Sequence, residues 1–137
     1  MVNITILVRT GTEAALHQAG IIAVGAVTVD IPVRIFFMDD AITALMKYKE
    51  GKPIPSGHYN AETEIAFNKG IEKAKIMSWE ELIVNAKKMG YVETIACALA
   101  MDLLNIDLRH LPSFIDKISG AAELVGGLNP EDVVFSF

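Results

Sequence analysis

The stretch "ETIACALAMDLL", residues 93–104, holds the only cysteine of the chain, Cys97, where a β-type apolar run passes into an Ala/Met/Leu run of helical character. A thiol at the start of a helix faces the unpaired N–H groups of residues 98–101, and that field favours the thiolate, the form that acts as a nucleophile. Ala96 and Ala98 on either side leave room for an extra atom on the sulfur. Against this, no Lys, Arg or His lies within five positions, and free cysteine is among the most buried residue types. The residues alone therefore leave two readings open: a reactive thiol, or a small piece of core.

Whether Cys97 can meet a substrate depends on the elements that position it. "NITILVR" is a buried-strand pattern, and Thr12 can cap a helix running from there to about Val27. "VRIFFM" is a second strand, after which Asp39 or Asp40 caps "AITALMKYKE" and Gly51 with Pro53 ends it. Asn60 caps "AETEIAFNKGIEKA". Ser78 and Glu81 then form a capping box for "WEELIVNAKKM", which closes on Lys87, Lys88 and the glycine Gly90. "VETIAC" is the third strand. "SFIDKIS" after Pro112 reads as a strand or a short helix, "GAAELVGGL" as a helix and "DVVFSF" as a closing strand. Strands alternating with helices, and apolar along most of their length, predict an α/β fold. The expected architecture is a three-layer α/β/α sandwich of one domain, residues 1–137, around a five-stranded parallel sheet with strands near 3–8, 33–38, 92–97, 114–118 and 132–137.

In a parallel sheet, ligands collect outside the carboxyl ends of the strands. The first strand brings Thr10, Gly11 and Thr12 to that edge, the second Asp39 and Asp40, the third Cys97. Three helical passes separate the second and third strands, so the helix begun at Ser78 is expected to start beside Cys97. Met77 and Trp79 become walls of the cysteine site, and "KPIPSGHYN" is placed at the opposite end of the sheet. Asp39 and Asp40 read as helix caps, since adjacent carboxylates rarely aim at one point. His17, His58 and His110 show no metal-ligand spacing, so neither a metal nor a cofactor is expected. His17 or His110 could still approach Cys97 from another subunit.

Composition narrows the function classes. The chain is 52% hydrophobic and 21% charged, with mean hydropathy +0.38. That is apolar for a chain whose folding buries about 70% of its surface, and subunit interfaces would absorb the excess. The longest clean apolar run, "AGIIAVGAV", is about half of a bilayer span. The N-terminus has no basic stretch ahead of its apolar run, and a lone cysteine forms no internal disulfide, which together predict a cytoplasmic protein. A net charge of −5 without a basic cluster argues against nucleic acid.

The segment "IACALAMDLLNI", preceded by "MSWEELIVNAKKMGYVE" and followed by "GAAELVGGLNPEDVVFSF", resembles the DsrE/DsrF-like sulfur-relay proteins, as do "NITILVRTGTEAAL" and "PVRIFFMDDAI". The resemblance implies that Cys97 is the persulfide-forming cysteine, with Met101 matching the family's helix methionine. It implies carriage of sulfane sulfur from donor to acceptor, proteins or small sulfane compounds, in a homo-oligomer, a trimer or hexamer. The chain departs from the family pattern in "MDDAI" after the second strand, and it lacks the second cysteine that some members carry. Three other readings compete. "VRTGTEA" is similar to the phosphate loop of FMN-binding flavodoxins. Thr94 precedes Cys97 as in the Pro-x-x-x-Thr-x-x-Cys pattern of thiol peroxidases, although Gly90 stands where the proline would be and the two side chains point to opposite faces of a strand. In the third, the chain is a non-enzymatic oligomeric binding protein with a buried cysteine.

Overall fold

The computed structural model describes residues 2–137. Five strands, β1 (Ile4–Val8), β2 (Val33–Phe37), β3 (Val92–Cys97), β4 (Lys117–Ser119) and β5 (Val133–Ser136), form one sheet in the order β4-β3-β2-β1-β5. Every pairing is parallel. The helices are α1 (Glu13–Thr28), α2 (Asp40–Lys49), α3 (Ala61–Glu72), α4 (Trp79–Met89), α5 (Ala98–Leu104) and α6 (Ala121–Gly126).

Partners in register share a face, because side chains alternate along each strand. Ile6, Ile35 and Thr94 stand side by side on one face, with Val8, Phe37 and Ala96 one step on. Thr5, Arg34 and Glu93 begin the other, which continues through Leu7, Phe36 and Ile95 to Cys97. Helix α4 covers the first face, since its Lys87 bonds the Thr94 hydroxyl, and α1 packs along α4. Close approach of these helices rests on small residues: a Cβ on Gly20 would stand 2.7 Å from that of Leu82. Helix α6 covers the second face, where Glu123 accepts from Ser119 and Lys117 of β4. This is the expected three-layer sandwich.

Several boundaries move. The fourth strand is Lys117–Ser119, not 114–118. Phe114 and Ile115 are buried without being strand, because the backbone turns under them, Ile115 N–H donating to the Pro112 carbonyl. The capping box at Ser78 and Glu81 is present, as is the Asn60 cap. Gly90 ends α4 in extended backbone, which any residue adopts. Its requirement is space, a Cβ there falling 2.9 Å from Val27.

The loop "KPIPSGHYN" is not at the far end of the sheet. Glu13 and Ala14 N–H donate to the carbonyls of Pro55 and Ser56, both at 2.9 Å, which puts the loop at the carboxyl edge against the start of α1. The expectation assumed that α2 descends the sheet. Instead its last turn stays high, with Tyr48 against Trp79, ring centres 4.7 Å apart, where α4 begins. Ten residues of helix reach only about 15 Å, enough to cross the edge.

One polar network locks α4 to β3 and to the approach to β4. Lys87 donates to the Val92 carbonyl, the Thr94 hydroxyl and the Asp116 carboxylate, the last at 2.5 Å, and Asp116 also accepts the Thr94 N–H. The Thr94 hydroxyl in turn donates to the Phe114 carbonyl. Partial burial pushes the Asp116 carboxyl up, but the Lys87 and Thr94 bonds outweigh it and hold the group below its ordinary value. A carboxylate so depressed adds stability above its unfolded pKa of about 3.9, and that contribution is lost as pH falls through the folded value. Asp116→Asn is expected to lower the unfolding free energy measured in urea at pH 7 by about 1 kcal/mol or less, the range for a half-exposed pair, and to leave it nearly unchanged near pH 2. An equal loss at both pH values would show that the charge of Asp116 is not what stabilises the network.

Candidate functional site

Cys97 is the last residue of β3 and the N-cap of α5. It lies on the α6 face of the sheet, in register with Ser119 of β4, and is 8% exposed. Although buried, it lines an open groove of about 270 Å³ between the start of α2 and one side of α5. Asp39, Asp40 and Thr43 border it from the α2 side, with Met38 at the end of β2, and Leu99, Ala100, Leu103 and Leu104 from α5. The leucines follow helical spacing and leave much of their surface to solvent, Leu99 66% and Leu103 77% exposed. Asp39 and Asp40 are the charged residues of this lining.

Of the residues expected at the site, Cys97, Asp39 and Asp40 meet here. Thr10, Gly11 and Thr12 line a neighbouring depression of about 260 Å³ that shares Asp40 and Thr43 with the first and adds Lys47. Ala98 is half-buried beside Cys97, while Met101 is core on the inward side of α5 and does not reach the groove. Met77 and Trp79 do not line it either. Trp79 is wedged between Tyr48 and Phe114, and Met77 is an exposed residue whose carbonyl bonds His17 and whose sulfur lies 3.3 Å from the Asn85 amide. Both stand at the head of α4, which covers the opposite face of the sheet from Cys97. Carboxyl-edge placement finds the correct end of a strand but not the face. The α5 leucines carry one sequence signal, that "ALAMDLL" has a single polar residue and a seven-residue helix cannot bury all its sides.

Two of the histidines are spent within the chain. His17 is buried, its Nε2 donating to the Met77 carbonyl at 3.0 Å and its ring edge-on to Phe67 of α3, so it is not available to a cysteine of another copy. Burial holds its pKa below the ordinary value, against the Met77 bond, which raises it. His58 packs on the same Phe67. His110 accepts the Asp107 N–H at the surface, within a turn at Leu108–His110.

The competing readings fare differently. The first four N–H groups of α1 are all taken: those of Glu13 and Ala14 by loop carbonyls, Ala15 by the Thr12 hydroxyl, Leu16 by the Thr12 carbonyl. The opening turn of α1 itself leaves a flavin phosphate no free backbone donor. Thr94 faces away from Cys97 and is committed to Phe114, Lys87 and Asp116, so it has no place beside the thiol as a peroxidase threonine. No helix among the described residues is long and apolar enough to cross a membrane.

A family model described as DsrE/DsrF/DrsH-like matches residues 38–134, from just after β2 into β5, and so contains both sides of the Cys97 groove. The chain belongs to the DsrE/DsrF/DrsH-like family. No curated protein matches it. The family match omits β1, α1 and β2, and with them Thr10, Gly11 and Thr12; it includes the acidic turn, the capping box and the cysteine.

Proposed function

We propose that this protein carries sulfane sulfur on Cys97 and passes it to an acceptor thiol. The observation that carries the reading is the cysteine's position: within a DsrE/DsrF/DrsH-like match, at the carboxyl end of β3, buried between two alanines and yet lining an open groove. In loading, the Cys97 thiolate attacks the terminal sulfur of a donor persulfide. The new S–S bond forms as the donor's S–S bond breaks, the electron pair leaves with the donor thiolate, and the proton stays on the transferred sulfur. Discharge is the same exchange with an acceptor thiolate attacking that terminal sulfur and Cys97 leaving. Neither step changes the overall oxidation state, so one cysteine suffices.

The apolar composition of the chain is also in keeping with self-association. Native mass spectrometry reads both points. The protein is expected at a multiple of its 14.9 kDa chain and, after incubation with a small persulfide, to gain one sulfur per chain that dithiothreitol removes. Cys97→Ser is expected to gain none. A native protein that resists alkylation and takes up no sulfur from any donor overturns the relay reading and makes Cys97 core.

A further inference from the structure

Asp39 holds a backbone conformation that its residue type disfavours. At φ 52° and ψ −132° it sits where glycine is at ease and a side chain is strained, at the sharp passage from β2 into α2. Its carboxylate caps no N–H of the helix, and among the described residues it joins no ion pair. Asp40, next in the chain, has a structural reason for its charge, since the first turn of a helix favours an acid. Asp39, one residue earlier, shares that helix-end field but makes no cap bond with its carboxylate. It does share the groove of Cys97, whose lining includes no Lys, Arg or His. The thiol itself, more than nine-tenths buried, lines that groove with no hydrogen-bond partner among the described residues.

We propose that Asp39, with Asp40 beside it, is a specificity-determining residue of the cysteine site: the carboxylates turn away small anionic sulfur donors and admit donors whose reacting sulfur rides on a neutral or cationic apolar group. The inference rests on the persulfide reading above. Two negative charges border an open depression walled by Met38 and the α5 leucines. Apolar walls strengthen such a field at the groove mouth, where salt still screens it. Thiosulfate brings two negative charges to this place. Its reaction is balanced, the Cys97 thiolate taking the sulfane sulfur while sulfite leaves with the electron pair, but no cation of the lining offsets the loss of its hydration. A sulfur carried on an aminoalkyl or basic peptide group meets attraction at the mouth and apolar contact inside.

The test separates charge from sulfur chemistry. Cys97 is alkylated with iodoacetate, an anion, and with iodoacetamide, its neutral counterpart, and the ratio of the two rates cancels any change in the thiol's own reactivity. Asp39→Asn suits the comparison, since asparagine tolerates positive φ and the turn is kept. At low salt the variant is expected to raise the iodoacetate-to-iodoacetamide ratio about three- to tenfold over wild type, the effect of one nearby charge in a partly screened site. The gain should collapse near 1 M salt, where the screening length is about 3 Å. Thiosulfate loading is expected to rise by a similar factor in the variant, and loading from 2-aminoethyl persulfide to fall. An unchanged ratio overturns the proposal whatever sulfur is taken up. A shifted ratio with no sulfur taken from either donor overturns the persulfide reading instead, and leaves Asp39 in control of what reaches the thiol.

Discussion

Gly11→Ala is expected to destabilise the protein by about 3 kcal/mol, at or beyond the upper end of ordinary overpacking. A Cβ at this position would stand 2.3 Å from the carbonyl oxygen of Asp40 and 2.9 Å from its carbonyl carbon, with the Ala44 side chain at 3.3 Å. The first two atoms are backbone in the opening turn of α2 and cannot rotate aside. Either the turn after β1 or the start of α2 must move. The two are also tied by the Ala41 N–H donating to the Arg9 carbonyl at 3.1 Å, so a shift breaks that bond or carries the turn along. Urea denaturation measures the loss. Because Asp40 borders both depressions of the carboxyl edge, folded variant protein is expected to show an altered iodoacetate-to-iodoacetamide ratio at Cys97 as well. A variant within about 0.5 kcal/mol of wild type would show that the turn and α2 are not in contact as described.

Gly11 also illustrates what a sequence can and cannot disclose. Its place in a turn after a buried strand is legible, because "NITILVRTG" breaks from strand pattern to turn residues. That the missing Cβ makes room for α2 is not, since the two segments are some thirty residues apart and only tertiary packing joins them. The same division runs through the site. Cys97 at the end of the third strand is legible from the switch between "VETIA" and "ALAMDLL", and the capping box at Ser78 from spacing alone. Such signals are local. The loop at 52–60 departs from its expected place because helix length does not state helix direction, and α2 crosses the carboxyl edge in place of descending the sheet. The groove's leucines are not legible for a related reason: an apolar side chain reads as core until the structure shows which side of a short helix faces water. Phe114 and Ile115 mislead in the opposite sense, buried like strand residues without belonging to one.

Asp39 lies between these cases. Its residue type fits a helix cap, and a cap is what its spacing before α2 predicts. The structure keeps it at the N-cap position and removes the capping bond. Strained backbone with an uncommitted carboxylate beside a thiol is a combination that pattern reading does not reach, since neither the sign of φ nor the missing bond leaves a trace in the residue order.

Trp79→Ala is expected to cost about 3–5 kcal/mol in stability while leaving the alkylation rate of Cys97 in the folded protein within about twofold of wild type. The indole is 7% exposed. It meets Tyr48 at the end of α2 edge-on and Phe114 at 6.1 Å, so that three segments far apart in the chain close on one ring. Truncation leaves a cavity among elements held in place by other contacts, α4 by α1 and the 112–116 segment by Thr94 of β3 and by Lys87 of α4, which limits how far they can collapse to fill it. Each aromatic contact adds about 0.5–1.5 kcal/mol beyond the buried area. The cysteine, on the other face of the sheet, touches none of this. Placement of Trp79 as a wall of the thiol site leads to the reverse pattern, a changed Cys97 rate with little loss of stability. Should the alanine variant fail to fold, Trp79→Phe keeps a ring in the wedge and allows the same comparison at a smaller loss. Stability and thiol reactivity that move together in both variants would mean that the two faces of the sheet are coupled through β3, and that Cys97 reports on the packing of α4 after all.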